Sequence, residues 1–71
     1  MILNAAAIAL SRGDLPQAKS YLDKSDKNTP EYMNNLGVYY MFTGELDQAK
    51  AELTRALQKG VENAGVNLKE I

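Results

Sequence analysis

One heptapeptide occurs twice in this chain. Gly13-Asp14-Leu15-Pro16-Gln17-Ala18-Lys19 returns 31 residues later as Gly44-Glu45-Leu46-Asp47-Gln48-Ala49-Lys50. The same offset lays Asn4-Ala5-Ala6-Ala7 over Asn35-Leu36-Gly37-Val38, and a third version of that second element, Asn63-Ala64-Gly65-Val66, follows 28 residues further on. Self-similarity at a fixed period is the mark of a fold made by stacking one supersecondary unit on the next. With two kinds of segment, A and B, the chain reads A-B, A-B, A.

Periodicity gives each segment its conformation. Leu46, Ala49, Leu53, Ala56 and Leu57 recur at steps of three and four, with Lys50, Glu52, Arg55, Gln58 and Lys59 between them. That is one apolar stripe of a 3.6-residue helix. Met33, Leu36, Gly37 and Tyr40 repeat the pattern in the second A segment, and Leu15, Ala18, Tyr21 and Leu22 in the first B segment. Val and Ile total only six, so no β-branched alternation competes.

The punctuation agrees. Thr29 is a good N-cap, because its hydroxyl accepts an orphan N–H, and Pro30 follows where its missing N–H costs nothing. Asp14 with Gln17 has the spacing of a capping box. Gly13, Gly44 and Gly60 stand where a helix must stop and turn. Helices are expected near 2–12, 15–25, 30–43, 46–59 and 61–70. Lys24-Ser25-Asp26-Lys27-Asn28 reads as a polar loop between units. Gly37 and Gly65 fall inside predicted helices, where each costs about 1 kcal/mol relative to Ala. Ala6 holds the equivalent place in the first unit, so the position accepts only Ala or Gly, and a close approach of two helices is the expected reason.

Several kinds of chemistry lack their usual parts. The 71 residues include no Cys and no His, which removes disulfides, thiolate metal sites and imidazole catalysis. None of the Ser or Thr residues lies in a nucleophile-elbow context. Asp23 and Asp26 share a helix face but sit beside Lys24 and Lys27, as a solvated helix end would. No Gly-rich phosphate cradle is present. Eight Lys+Arg against nine Asp+Glu give a net charge of −1, without the basic footprint that nucleic acid or an anionic membrane selects. Met1–Leu10 is apolar apart from Asn4 but lacks the basic start and small-residue cleavage site of a signal peptide. No apolar run approaches the roughly 20 residues of a membrane span. The compartment stays open between cytoplasm and periplasm. No catalytic residue, metal or cofactor is expected.

The second unit resembles a tetratricopeptide repeat, a helix-turn-helix of about 34 residues with the signature W-x2-L-G-x2-Y…A-x3-F…P. Met33 stands at the Trp place, Leu36-Gly37 and Tyr40 match, Gly44 falls at the turn, Ala49 matches, Leu53 replaces the Phe, Ala56 takes the small position, and Val61 stands where the Pro is usual. The first unit carries Ile2, Ala5-Ala6, Ala9, Gly13, Ala18, Leu22 and Ser25 at the same places, and its second helix is three residues short of the period. The resemblance implies one all-α domain of antiparallel helix-turn-helix repeats stacked as a short right-handed α-solenoid. Unit 1 covers about 2–29, unit 2 about 30–60, and a capping or partial third-unit helix about 61–71.

It also implies a job. In this family the first helices of successive units line the inner surface, which binds a peptide or helix of a partner protein. Here that surface takes Leu3, Ala7, Leu10 and Ser11 from unit 1, then Glu31, Asn34, Val38, Met41 and Phe42 from unit 2, then Val66, Lys69 and Glu70. The partner-binding candidates are Ala7, Leu10, Asn34, Val38, Met41, Phe42 and Val66, with Met41 and Phe42 as apolar anchors. Some members clamp a C-terminal carboxylate with Lys, Asn and Arg side chains. Leu3, Ala7 and Asn63 depart from that set, while Asn35 and Lys59 match it, so no preference for acidic C-termini is expected. Recurrence of Asn4, Asn35 and Asn63 at one place suggests a shared structural hydrogen bond. The apolar Met1, Ile2, Leu3, Ile8 and Leu10 invite a preceding segment or a second copy. The alternative function is a structural spacer, or a self-assembling piece of a larger protein.

Overall fold

In a computed structural model of the chain, residues 2–71 are described, with side chains from Ala5 onward. Five α-helices follow in order: α1 (Ile2–Ser11), α2 (Leu15–Lys24), α3 (Pro30–Thr43), α4 (Leu46–Gln58) and α5 (Glu62–Lys69). Each end lies within one residue of the bounds expected from periodicity and caps.

Three of the four connections use one device. Gly13, Gly44 and Gly60 adopt φ of 71°, 83° and 99°, a left-handed conformation that a Cβ disfavours. Each Gly N–H donates three residues back, to Leu10, Met41 and Leu57. The next N–H donates five back: Asp14 to Ala9 at 2.9 Å, Glu45 to Tyr40 at 2.9 Å, and Val61 to Ala56 at 3.0 Å. This pair of bonds satisfies the orphan carbonyls of the ending helix and reverses the chain within three residues.

The same bonds explain why the capping box at α2 forms only in half. Asp14 Oδ1 accepts from the Gln17 N–H at 3.2 Å. The return bond would need the Asp14 N–H, which Ala9 already holds, so the Gln17 side chain donates to the Tyr21 hydroxyl instead, at 3.4 Å. At the equivalent place before α4, Glu45 makes no cap bond. Its carboxylate accepts from Thr43 Oγ1 at 3.1 Å and from Gln48 Nε2 at 3.4 Å.

The α2–α3 connection is built differently. Ser25 ends α2 in an extended conformation, and its hydroxyl donates to the Tyr21 carbonyl at 2.7 Å. The Asn28 N–H donates to Asp26 Oδ1, and Thr29 Oγ1 accepts from the Tyr32 N–H at 3.3 Å to start α3. Lys27 Nζ donates to the Asp23 carbonyl and lies 5.5 Å from the Tyr32 ring centre. The polar loop read at residues 24–28 is therefore a chain of local hydrogen bonds.

Packing is sequential and antiparallel. α1 touches α2 and α3, α2 touches α3, α3 touches α4 and α5, and α4 touches α5; no other pair of helices meets among the described residues. Ala9, Leu10 and Ala18 form one core cluster, over which Val38 and Tyr39 of α3 pack. Leu53, Ala56 and Ala64 form the other, flanked by Met33, Met41, Val61, Leu68 and Ile71. Small residues at the centre let the helices approach. A Cβ built on Gly37 would lie 2.6 Å from Leu53 Cγ, which accounts for the glycine in the middle of α3. The apolar stripe of α4 is narrower than its sequence suggests. Leu53 is fully buried, but Leu46 and Leu57 lie at its margins, 45% and 43% exposed.

Candidate docking groove

Successive contacts of α1 with α3 and of α3 with α5 place three helices side by side, and a groove of about 320 Å³ runs across them. Its apolar lining comes from Ala7 and Leu10 of α1, Val38 and Phe42 of α3, and Val66 of α5. Its polar lining is Ser11, Asn34, Asn35, Asn63 and Asn67. Among the described residues, no charged one lines it. The two side-chain ion pairs found among the described residues, Lys19–Asp23 at 3.3 Å and Arg55–Glu52 at 3.2 Å, lie on α2 and α4. Uncharged side chains line the groove, and these ion pairs lie on helices that take no part in it.

Of the seven residues singled out from sequence, Ala7, Leu10, Asn34, Val38, Phe42 and Val66 meet in this groove. They are not equal there. Phe42 and Val66 are 53% and 59% exposed and stand at its rim. Leu10 is 2% exposed and belongs to the core beneath, so it offers a partner little surface. Val38 does both, facing the groove while packing on the α1–α2 cluster. Met41 is elsewhere: it packs beside Leu53, Ala56 and Ala64, one helical step round from the groove. Glu31, Lys69 and Glu70 do not line it either. The side chain of Leu3, with those of Met1, Ile2 and Asn4, lies outside what is described.

Of the polar lining, Ser11 and Asn34 are inner-surface residues in the sequence reading, Asn35 and Asn63 enter it through the clamp comparison and the recurring Asn position, and Asn67 is the residue it does not name. Asn35 is buried, whereas Asn63 is exposed. A side-chain bond ties α3 to α5: Asn67 Nδ2 donates to Asn34 Oδ1 at 3.0 Å. The step of four from Asn63 to Asn67 was the available signal, because it puts both carboxamides on one face of a helix.

A second hollow of about 170 Å³ lies on the other side of α1, lined by Ala5, Ile8, Ala9, Arg12, Gln17 and Tyr21. Ile8 is 52% exposed there. Among the described residues no group of three or more acidic, His or Cys side chains is placed to hold a metal, and no helix is long and apolar enough to cross a membrane. Set against known proteins, the chain matches no family model, no curated protein and no solved structure.

Proposed function

We propose that this chain is a protein-interaction module of the tetratricopeptide kind, two helical units and a capping helix stacked as a short right-handed solenoid, without catalysis of its own. The groove across α1, α3 and α5 docks an uncharged peptide or helix of a partner protein. The observation that carries this reading is the groove itself: α1, α3 and α5 contribute to one surface that combines exposed apolar side chains with carboxamides and no charge. Phe42 and Val66 supply apolar contact, and Asn34, Asn63 and Asn67 supply hydrogen-bonding groups. The absence of Lys and Arg from the lining argues against recognition of a terminal carboxylate.

A peptide-display selection tests it. Selected sequences should be poor in charge, and their affinity should change little between low and high salt, since no ion pair forms. Phe42→Ala should lower affinity by at least about tenfold if Phe42 is an anchor of the kind that dominates interfaces. Its circular dichroism should match the parent's, because Phe42 is half-exposed. Selection of strongly acidic peptides, or affinity indifferent to Phe42, contradicts the proposal.

Exposed Ile8 favours a second reading, in which the α1 side of the stack meets another copy or a neighbouring domain. Ile8 stands one repeat before Tyr39, and Tyr39 packs against the cluster of the preceding unit. Sedimentation equilibrium decides this reading. Mass rising with concentration, abolished by Ile8→Glu, supports it, and a monomer at high concentration opposes it.

A further inference from the structure

We infer that α5 is a detachable wall of the groove, opening by local unfolding while α1–α4 stay folded, with the Asn67–Asn34 hydrogen bond as its latch. Four observations converge on this helix. It has eight residues, too few for an isolated helix to persist in water. Its first turn has no side-chain cap, because Val61 stands where Asp14 and Thr29 cap α2 and α3. Gly65 sits in its interior. Only one of its side chains is buried, and that is the alanine Ala64, whereas α4 buries Ala49, Leu53 and Ala56.

Among the described residues, what holds α5 is therefore slight: the packing of Ala64, Leu68 and Ile71 on the Leu53–Ala56 cluster, and the Asn67 bond to Asn34 on α3. Segments with few buried apolar contacts open at lower free energy than the whole molecule. Once undocked, α5 loses its helix as well, since nothing local sustains it. Opening also acts on the groove, because Asn63, Val66 and Asn67 leave its lining together and the apolar cluster around Met33 and Met41 is uncovered. A molecule bound in the groove against α5 favours the closed form, so occupancy and closure are linked. The regulatory meaning rests on the docking reading. The opening itself does not, and it is measured in the free chain.

Native-state amide hydrogen exchange by NMR is the experiment. Amides Val66 to Lys69, bonded one turn back within α5, should exchange at least tenfold faster than the central amides of α4, in a subunfolding event with weak denaturant dependence. Gly65→Ala should slow the α5 amides about fivefold by raising helix propensity, with the α4 amides little changed. Asn34→Ala removes the latch from the α3 side without altering α5's own sequence. It should speed α5 exchange about threefold to tenfold while α3 and α4 protection holds. If the α5 amides exchange only together with those of α4, α5 is part of the global unit and the inference fails. If Asn34→Ala leaves them unchanged, the latch assignment fails. Neither result bears on whether peptides bind the groove.

Discussion

Gly37 in α3 and Gly65 in α5 hold the same repeat position, which Ala6 holds in α1. A Cβ at Gly37 would meet Leu53 Cγ at 2.6 Å and Cδ2 at 2.7 Å, with the Ala49 carbonyl 3.3 Å away. A Cβ at Gly65 would meet only Leu57, at 3.3 Å. Leu53 is fully buried and has nowhere to go; Leu57 is 43% exposed and can rotate toward solvent. One sequence signal thus has two meanings. At Gly37 the missing side chain lets α3 and α4 pack against a leucine, while at Gly65 it mainly weakens a helix at the edge. The difference teaches that the centre of the chain is tightly fitted and its end is loosely held.

The largest expected effect tests the fitted side. Leu53→Ala should cost about 2–5 kcal/mol, as fully buried leucines do, and in a chain this small that suffices to unfold much of the population. Urea denaturation followed by circular dichroism reads it. If Leu53→Ala is tolerated within a few tenths of a kcal/mol, the fitted centre does not exist. Next comes Gly37→Ala. Overpacking of about 1–3 kcal/mol stands against the roughly 1 kcal/mol gained in helix propensity, so a net loss is expected. In a Leu53→Ala background the same change should become neutral or stabilising, and a double-mutant cycle reports that coupling.

The helix starts allow a smaller contrast. Asp14→Ala should cost about 1 kcal/mol, because it removes an observed N-cap bond. Glu45→Ala, at the repeat-equivalent place without such a bond, should cost less, and thermal melts of the two variants compare them. Equal losses would show that the cap bond is not what distinguishes them. Gly65→Ala should be the mildest, neutral to stabilising by about 1 kcal/mol at most, the opposite sign to Gly37→Ala. Matching signs would collapse the distinction between centre and edge.

Most of the fold was legible because its signals are local. Glycine turns, the Thr29–Pro30 start and the three-four spacing of Leu46, Ala49, Leu53 and Ala56 each act within one or two helical turns. What escaped depends on neighbours. Whether Leu46 and Leu57 are buried is decided by how far α3 and α5 extend across α4, and a single helix's periodicity holds no record of that. The half-formed capping box failed for a related reason, since the turn before it had already taken the Asp14 N–H. In the groove, Phe42 lies where the family resemblance implied, on the surface shared by α1, α3 and α5. Met41, its neighbour in sequence, lies about 100° away around the helix and went to the core. The Asn34–Asn67 bond joins side chains 33 residues apart and is visible only once α3 and α5 lie together.

Where a ligand lands decides whether the groove across α1, α3 and α5 is the docking surface. A display-selected peptide titrated into isotope-labelled protein should shift the NMR signals of Asn34, Val38, Phe42, Asn63 and Val66, while Lys19 and Arg55, on helices that take no part in the groove, stay still. Shifts gathered at Ile8, Arg12 and Tyr21, or spread over α2 and α4, would contradict it.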